Sequence, residues 1–581
     1  MSTYTAPAKE LQFVLEELAD LGAIAEFPGF EEATPELVEA VIEEAGKLAT
    51  DVLDPINWSG DQQGAQLIDG KVQAADGFAE AYQQFVESGW CSVNFPEEFG
   101  GQGLPFMVQS AATEIWNASN VSFALCPLLT AGAVEALLAH GSAELKSTYL
   151  EQMVSGNWTG TMNLTEPQAG SDLALVRTAA TPDGDHYRIK GQKVFITWGD
   201  HEMSENVIHL VLARLPDAPE GTKGISLFIV PKFVPDADGN VADRNGVACG
   251  SIEHKMGIHG NATCVINFDA AKGFLIGPPN RGLNCMFTFM NVARIGTAIQ
   301  GLVHAETGFQ GSLAYAKDRL QMRSLSGPKN PEGPADPIIV HPEVRKMLLT
   351  QKAIAEGGRA LCYYTAMLVD SATHAPDEAE RADADTLLAL LTPIAKAFLT
   401  ELGFEAANHG MQIFGGHGYI SEWGMEQNVR DSRISMLYEG TTQIQALDLL
   451  GRKVLMTQGE SLRKFTKIIH KFCKEESGNK ALKPFLKPLA EMNKEWGNLT
   501  MKIGMKAMKN RDEVGAASVD YLMYSGYVTL AYLWARMAKT AQEKIDSGAD
   551  DADFYRAKMM TARFYYERML PRTRGLVETM T

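Results

Sequence analysis

The chain lacks the cysteine spacing that builds disulfide frameworks or zinc sites. Its seven cysteines are scattered and include no C-x-x-C pair: Cys91, Cys126, Cys249, Cys264, Cys285, Cys362 and Cys473. Such spacing is typical of reduced thiols in a reducing compartment. His254 and His259 lie five residues apart beside Lys255, which favours surface histidines over metal ligands. We therefore expect no bound metal.

The chain also lacks an uninterrupted run of about 18 apolar residues, which predicts that no helix spans a membrane. Residues 1–10 contain neither the basic nor the apolar segment of a targeting peptide. These two absences indicate a cytoplasmic protein with no stable membrane insertion.

Positive charge is scarce overall, because the net charge is −20. This value argues against nucleic acid binding over the whole surface. The charge is unevenly spread, since residues 455–581 contain 22 Lys and Arg against 15 Asp and Glu. The basic tail is either a helical domain with differently composed solvated faces, or a surface for an acidic partner, a membrane or DNA.

Nucleotide-binding motifs are missing as well. No G-x-G-x-x-G follows a predicted strand and no Walker A loop is present, which argues against a doubly wound nucleotide fold. Hydrophobic periodicity instead predicts an α+β protein in four segments. They are an N-terminal helical domain over 1–156, an antiparallel β-domain over 157–275, a helical bundle over 276–455 and an extra helical domain over 456–581.

The clearest periodic segments predict individual elements. Strands are predicted over 187–197, 207–214, 225–231 and 264–268. Helices are predicted over 285–317, 342–370, 383–409, 462–474, 482–508, 514–544 and 553–569. The loop at 324–342 is rich in Gly and Pro and long for a compact domain, which indicates either a functional or a mobile segment.

A single carboxylate, Glu439, lies between Tyr438 and Gly440, just before an amphipathic helix. Gly440 adopts backbone geometries that other residues avoid, which helps to direct Glu439 out of a helix end into a cavity. A carboxylate among apolar neighbours is a candidate general base. If this motif is considered alone, the competing interpretation is that Glu439 caps a helix or is solvated.

Four ordered motifs carry a family resemblance. They are MNLTEPQAGSD at 162–172, KVFIT at 193–197, QIFGGHGY at 412–419 followed by RDSRI at 430–434, and EGT at 439–441. Over roughly residues 40–455 the chain resembles the acyl-CoA dehydrogenase family. The resemblance implies an N-terminal helical domain, a central β-domain and a C-terminal four-helix bundle. It also implies FAD between the β-domain and the bundle, with its adenosine end reaching a neighbouring subunit.

Glu439 falls on the catalytic base of that family. The resemblance implies that it removes the α-proton of an acyl thioester while hydride leaves the β-carbon for flavin N5, which yields a trans-2-enoyl-CoA. The implied donors to the thioester oxygen are the backbone N–H of Glu439 and a flavin ribityl hydroxyl. In the isovaleryl-type branch the base precedes the arginine that Arg294 matches. That position is Ala293 here, so Glu439 has no rival.

The resemblance also implies the cofactor and substrate contacts. The implied FAD contacts are Met162, Leu164, Thr165, Gly170, Ser171, Phe195, Ile196, Thr197, Arg319, Gln412, Gly415, Gly416, Thr441 and Gln443. The implied substrate contacts are Ser171, Asn291, Arg294 and Gly440. Turn chemistry at 166–172, core packing of Phe195 and a solvated helix end at Arg319 are the competing interpretations.

Some positions depart from the family pattern. Phe195 stands where many relatives carry Trp, Asn291 replaces an Asp, and Met322-Arg323 replaces the usual Phe-Gly. The insertion at 324–342 and the tail after Leu455 are similar to the branch that contains 3-(methylthio)propanoyl-CoA dehydrogenase of bacterial dimethylsulfoniopropionate breakdown. The implied substrate is that thioester or a short- or medium-chain acyl-CoA.

The implied electron acceptor is an electron-transfer flavoprotein, and the implied assembly is a homodimer or homotetramer. Three alternatives stay open: a long-chain acyl-CoA dehydrogenase, an acyl-CoA oxidase, and a DNA- or membrane-binding protein on a dehydrogenase scaffold. The retained base motif at Glu439 favours an enzyme, and no nucleic acid partner is expected.

Overall fold

The computed structural model describes residues 4–236 and 239–581. The chain divides into two compact units. The bundle unit contains Met1–Glu43, Pro105–Glu114 and Thr297–Thr581, and the sheet unit contains Glu44–Leu104 and Ile115–Gly296. Two N-terminal stretches belong to the bundle unit, so this division differs from the four segments that periodicity predicts. The four segments stay a prediction.

Helices dominate the chain. In chain order they are α1 (Ala8–Glu17), α2 (Leu21–Ala25), α3 (Pro35–Leu48), α4 (Pro55–Gln63), α5 (Phe78–Glu87), α6 (Phe106–Ser119), α7 (Val121–His140), α8 (Ala143–Ser155), α9 (Gly282–Asp318), α10 (Pro342–His374), α11 (Glu378–Phe414), α12 (Met425–Arg433), α13 (Thr442–Leu447), α14 (Glu460–Glu475), α15 (Lys483–Ala507), α16 (Asp512–Asp546), α17 (Ala552–Phe564) and α18 (Thr573–Met580). The predicted helices after residue 280 lie within a few residues of these bounds.

The strands lie almost entirely between α8 and α9. They are β1 (Gln66–Ile68), β2 (Lys71–Gln73), β3 (Trp158–Asn163), β4 (Ala179–Asp183), β5 (His186–Thr197), β6 (Asn206–Arg214), β7 (Ile225–Pro231), β8 (Phe233–Pro235), β9 (Val241–Arg244), β10 (Val247–Ile252) and β11 (Thr263–Ile276). The β1–β2 hairpin lies in a region predicted to be helical. Its strands have three residues each, too short to show a period of two.

The sheet unit is built around a ring of strands. β11 pairs with β5, β5 with β4, β4 with β6, β6 with β7, and β7 returns to β11. These pairs are antiparallel except β4–β6, and β3 also joins β6 in parallel. The prediction of an antiparallel domain therefore needs correction at the β3–β6 and β4–β6 pairs, because alternation within one strand does not reveal the direction of its neighbour.

Apolar side chains of α7 and α8 fill one side of this sheet. Trp158, Leu210, Leu227 and Ile229 share a buried cluster with Leu137 of α7. The runs in β6 and β7 are buried at nearly every position, which explains why they read as continuous β-branched segments.

The bundle unit joins α10 and α11 with the helices of the C-terminal tail. α16 packs against α10, α11, α13, α15 and α17. Within these contacts the Phe398 and Tyr527 rings meet edge to face, with centroids 5.0 Å apart. A Cβ at Gly526 would lie 2.2 Å from the Phe398 ring, so glycine permits this close approach. The tail is thus part of the core of this unit.

Within residues 4–236 and 239–581, two helices are long and apolar enough, by length and composition, to cross a membrane. They are Val121–His140 and the segment Glu378–Tyr419. Most of each apolar window is buried inside the structure, at 72% and 78% respectively, as in core helices. Neither helix contains an uninterrupted run of about 18 apolar residues, because polar residues are scattered along both.

The loop at 324–342 is organised around Asp336. The backbone N–H groups of Ser324, Lys329 and Asn330 donate to its carboxylate at 2.8, 2.9 and 2.7 Å. Burial alone would raise the pKa of Asp336, but these hydrogen bonds lower it to about 2. The buried carboxylate therefore replaces the secondary structure that this segment lacks.

Candidate active site

The predicted base Glu439 lies in a left-handed turn of the bundle unit. Glu439 has φ of +56° and Gly440 has φ of +91°. This conformation costs a residue with a Cβ about 1–2 kcal/mol, whereas glycine adopts it readily. Directly afterwards the Thr441 side chain accepts from the Ile444 N–H at 3.3 Å and caps α13. Backbone strain of this kind persists only where surrounding contacts hold it, and it clusters at functional sites.

Two buried side chains hold the carbonyl groups of this turn. Gln445 Nε2 donates to the Glu439 carbonyl oxygen at 2.8 Å, and Lys396 Nζ donates to the Gly440 carbonyl oxygen at 2.7 Å. Both side chains belong to residues that are 0% exposed. The two peptide groups that follow the Glu439 Cα are therefore fixed from α13 and from α11.

The residue before the base is anchored as well. The Tyr438 hydroxyl donates to Gln300 Oε1 of α9. Burial raises the pKa of Tyr438, and the neighbouring Glu439 raises it further, so the phenol stays neutral and keeps its proton for this bond. The turn is thereby attached to a third helix.

Sequence reasoning did not find Lys396, Gln445 or Gln300. Lys396 is 44 residues from the carbonyl that it contacts, and such a pairing cannot be read from one sequence. A signal was nevertheless present, because Lys396 is the single charged residue within 386–400, an otherwise apolar stretch of α11. A lone cation on a buried helix face needs a partner.

In the sheet unit, the two predicted flavin-ring motifs lie side by side. The Val194 N–H donates to the Thr165 carbonyl oxygen at 2.9 Å. Lys193 Nζ donates to the Leu164 carbonyl oxygen at 3.0 Å. The chain that leaves β3 is therefore joined to the end of β5, so that 162–171 and 195–197 form one continuous region.

A buried ion pair underlies this region. Lys193 Nζ lies 2.8 Å from Glu166 Oε1, and the Thr178 hydroxyl donates to the same oxygen at 2.6 Å. Burial would raise the pKa of Glu166, but Lys193 and these hydrogen bonds lower it to about 2. Burial lowers the pKa of Lys193 to about 8 against the attraction of Glu166. Both groups are charged at neutral pH, and sequence reasoning gave neither a role.

Phe195 presents its ring at the surface of the sheet unit. The residue is 62% exposed, and its φ of +61° is left-handed. Core packing, the competing interpretation, is therefore wrong for this side chain. Beside it, the hydroxyls of Thr165 and Thr197 hydrogen-bond to no other residue within 4–236 and 239–581. A flat apolar ring next to available hydroxyls fits the chemistry of an isoalloxazine ring.

The predicted pyrophosphate turn closes α11. Gly415 has φ of +60° and ψ of −133°, a conformation that favours glycine. A Cβ at Gly415 or Gly416 would meet nothing within 4 Å, so the backbone here is open. Gln412 is exposed on the last turn of the helix. This open glycine backbone fits the approach of a phosphate group.

Arg319 follows the last residue of α9 and is exposed. Its N–H donates to the Tyr315 carbonyl and its carbonyl accepts from the Ile338 N–H, both at 2.8 Å. The backbone of Arg319 is therefore fixed while its guanidinium faces solvent. This exposure agrees equally with a phosphate contact and with a solvated helix end.

The predicted substrate residues occupy different settings. Ser171 and Asn291 are exposed, whereas Arg294 on α9 is 8% exposed. The Arg294 guanidinium lies 5.9 Å from the centroid of the Phe287 ring, within the range of cation–π attraction. These three residues belong to the sheet unit, and Gly440 belongs to the bundle unit.

The other predicted contacts divide between the units in the same way. The sheet unit holds Met162, Leu164, Thr165, Gly170, Ser171, Phe195, Ile196 and Thr197, and the bundle unit holds Arg319, Gln412, Gly415, Gly416, Glu439, Thr441 and Gln443. Gln443 is exposed on the first turn of α13, next to the base. No group of three His, Cys, Asp or Glu side chains could hold a metal ion in the described ranges, 4–236 and 239–581.

Family models match the chain in four consecutive blocks. An acyl-CoA dehydrogenase N-terminal domain model matches residues 62–157, a middle domain model 161–271 and a C-terminal domain model 280–455. A model described as acetyl-CoA dehydrogenase C-terminal like matches residues 465–581.

Several relatives match over nearly the whole length, among them one from Ruegeria pomeroyi and one from Syntrophomonas wolfei. A 3-methylmercaptopropionyl-CoA dehydrogenase of Ruegeria pomeroyi is 43% identical over 98% of this chain and 96% of the relative. A butyryl-CoA dehydrogenase of Syntrophomonas wolfei is 34% identical over 99% of this chain and 97% of the relative. Among solved structures, ACDH-11 of Caenorhabditis elegans, in complex with C11-CoA, is 20% identical with a TM-score of 0.78 over 98% of this chain and 92% of that one.

Proposed function

Since this chain belongs to the acyl-CoA dehydrogenase family and is thus an FAD-dependent oxidoreductase, we propose that it converts 3-methylmercaptopropionyl-CoA, or a short- or medium-chain acyl-CoA, to the trans-2-enoyl thioester with Glu439 as base. The observation that best supports this chemistry is the strained turn that contains Glu439. A left-handed glutamate anchored from three helices has a geometry that capping or solvation does not require.

The reaction needs a base with a fixed direction. An α-C–H bond of a thioester is a much weaker acid than a carboxylic acid, so water must be excluded and the developing enolate oxygen must be stabilised. The Glu439 carboxylate takes the α-proton, and the Glu439 N–H donates to the thioester oxygen. FAD, when bound, accepts the two electrons and the hydrogen from the β-carbon.

Residues of both units fit the cofactor. In the sheet unit, Phe195 would contact the flavin ring, and the Thr165 and Thr197 hydroxyls would hydrogen-bond to it. In the bundle unit, Gly415 and Gly416 would accommodate pyrophosphate against open backbone. The remaining predicted contacts complete the set: Met162, Leu164, Gly170, Ser171, Ile196, Arg319, Gln412, Thr441 and Gln443.

The substrate proposal is supported by the relatives. The name of the Ruegeria pomeroyi protein denotes the same thioester as 3-(methylthio)propanoyl-CoA, and its 43% identity extends through the C-terminal tail. We propose a place in dimethylsulfoniopropionate catabolism on this basis. Electron-transfer flavoprotein as acceptor, a cytoplasmic location and a homodimer or homotetramer belong to the same proposal.

An anaerobic titration of the purified flavoprotein tests this proposal. Acyl-CoAs would be added one at a time while flavin absorbance near 450 nm is followed, with 3-methylmercaptopropionyl-CoA, butyryl-CoA and a long-chain acyl-CoA in the panel. We expect the methylmercapto thioester to bleach the flavin at the lowest concentration. A flavin that no acyl-CoA bleaches would contradict the proposal.

A second measurement distinguishes a dehydrogenase from an oxidase. Oxygen consumption with the best substrate, and no other acceptor, is expected to be slow compared with reduction of electron-transfer flavoprotein. Fast oxygen consumption would instead identify an acyl-CoA oxidase.

A further inference from the structure

We infer that Lys396 and Gln445 are positioning residues for the proposed reaction: they hold the backbone of the Glu439–Gly440 turn so that the carboxylate keeps the direction that proton removal needs. This inference rests on the proposed function, because it takes Glu439 to be the base. Neither residue is among the predicted FAD or substrate contacts. Both are identified by their hydrogen bonds to the turn.

Lys396 and Gln445 together form a clamp on two consecutive peptide groups. Gln445 fixes the peptide between Glu439 and Gly440, and Lys396 fixes the peptide between Gly440 and Thr441. Rotation of either peptide would break a hydrogen bond at a place where both donors are 0% exposed. The carbonyls belong to half-buried residues, but the two donors are shielded from water, so each donor stays hydrogen-bonded only while the turn keeps this conformation.

The two donors differ in strength and in origin. Lys396 is an ammonium on a long side chain, and a charged donor makes a hydrogen bond roughly twice as strong as a neutral one. It connects the turn to α11, whereas Gln445 connects the turn to the second half of α13. Glycine is favoured between them, because Gly440 has φ of +91° and a Cβ there would lie 2.6 Å from Gln445 Nε2 and displace the amide that holds the turn.

Loss of the clamp affects direction more than binding. A misplacement of a reacting group by about 1 Å can cost on the order of 100-fold in rate. The predicted FAD contacts include Thr441 and Gln443, which follow the turn, but they do not include either donor. Variants of the clamp should therefore keep the cofactor and lose speed in the proton-abstraction step.

The test compares two variants that remove a donor and retain apolar length, Lys396→Met and Gln445→Leu. Each is measured as the FAD-loaded enzyme by anaerobic stopped-flow flavin reduction, with the acyl-CoA that bleaches the wild-type flavin. We expect unchanged FAD content, a rate of reduction lowered on the order of 100-fold in Lys396→Met and about 10-fold in Gln445→Leu, and a KM within about 3-fold of the wild type.

An isotope effect distinguishes positioning from general damage. With α-deuterated substrate, the deuterium effect on flavin reduction should increase in both variants, because removal of the α-proton becomes more fully rate-limiting. A loss of folded protein alone would lower the amplitude of bleaching and leave this ratio unchanged.

Thr442→Val is the matched control. Its hydroxyl donates to Glu401 Oε1 at 2.6 Å from the same short helix but contacts neither carbonyl of the turn. We expect a wild-type rate of flavin reduction in this variant. A Thr442→Val enzyme as slow as Lys396→Met would mean that any loosening of α13 suffices, and the clamp would be rejected.

The failure of this inference is separable from the failure of the proposed function. A Glu439→Gln enzyme that reduces flavin normally would overturn the base assignment and the clamp together. An inactive Glu439→Gln enzyme beside FAD-loaded clamp variants of wild-type speed would overturn the clamp alone. Should Lys396→Met not retain FAD, Gln445→Leu, which keeps the buried charge, decides the matter.

Discussion

At the scale of single residues, the proposed chemistry depends on side chains that hold the backbone beside the base. Glu439 was predicted from its position before Gly440 and from the family motif. Lys396, which fixes the next carbonyl, was not predicted, since 44 residues separate the two in the chain. A sequence motif reports the residues that lie together along the chain, and the partners that reach them from other helices become visible only in the fold.

Glu166 offers a test of how the segment 162–171, which contains predicted flavin contacts, is stabilised. Its pKa, about 2 in the folded protein, lies below the ordinary value, so its contribution to stability is present above the ordinary pKa and is lost as the pH falls through the folded value. A shift of this size corresponds to about 3 kcal/mol at neutral pH. We predict that Glu166→Gln lowers the thermal midpoint at pH 7 and that the difference from wild type shrinks between pH 5 and pH 2.

Differential scanning fluorimetry at several pH values measures this difference. Asp183→Asn is the control, because the Asp183–Arg188 pair is half exposed on both sides and should matter little at any pH. A Glu166→Gln deficit that stays constant from pH 7 to pH 3 would refute the assigned electrostatic role.

At the scale of elements, buried charges connect the two ends of the chain to the bundle. Lys558 of α17 is 1% exposed and lies 2.9 Å from Glu356 Oε2 of α10, with Glu10 of α1 on its other side. Burial would raise the pKa of Glu356, but Lys558 and Lys352 lower it to about 2. Three helices far apart in sequence therefore share one ionic contact. Periodicity predicted α10 and α17 as helices, but it does not specify which helices pack together.

Removal of this cation should destabilise the bundle unit. Lys558→Met keeps the length of the side chain but leaves the half-buried Glu10 and the buried Glu356 without their common partner, and only Lys352 still pairs with Glu356, at an expected cost of about 2–4 kcal/mol. The measurement is the urea midpoint of unfolding. Arg556→Ala, which removes an exposed pair with Asp553 on the same helix, should cost less than about 1 kcal/mol. Equal midpoints for the two variants would contradict this view of α17.

At the scale of the whole molecule, the order of helical, β and helical regions was predicted correctly, because long periodic segments report their own structure. Short elements and the direction of strand pairing were not predicted correctly. The β1–β2 hairpin was missed, and the parallel direction of β3 depends on pairing partners 48 residues further along the chain. The competing interpretations of the tail after Leu455 could not be separated by composition, whereas the fold shows α16 inside the bundle unit.

Truncation after Leu455 tests this integration. The shortened chain would expose the buried Phe398 on α11, which packs against Tyr527 and Gly526 of α16. We predict an aggregated product without FAD, as judged by size-exclusion chromatography and flavin absorbance. A monodisperse, FAD-loaded truncated protein would show instead that the tail is a separable module and would favour a role in binding a partner.

The most direct test of the central claim is the rate of anaerobic flavin reduction in Glu439→Gln, measured beside the wild type with 3-methylmercaptopropionyl-CoA. An amide has nearly the size of the carboxylate but cannot take the α-proton, so FAD should remain bound while the rate falls by at least about 1,000-fold. The same variant should still bind the thioester, seen as a perturbed flavin spectrum without bleaching. Flavin reduction at a near-normal rate in Glu439→Gln would contradict the assignment of Glu439 as the base.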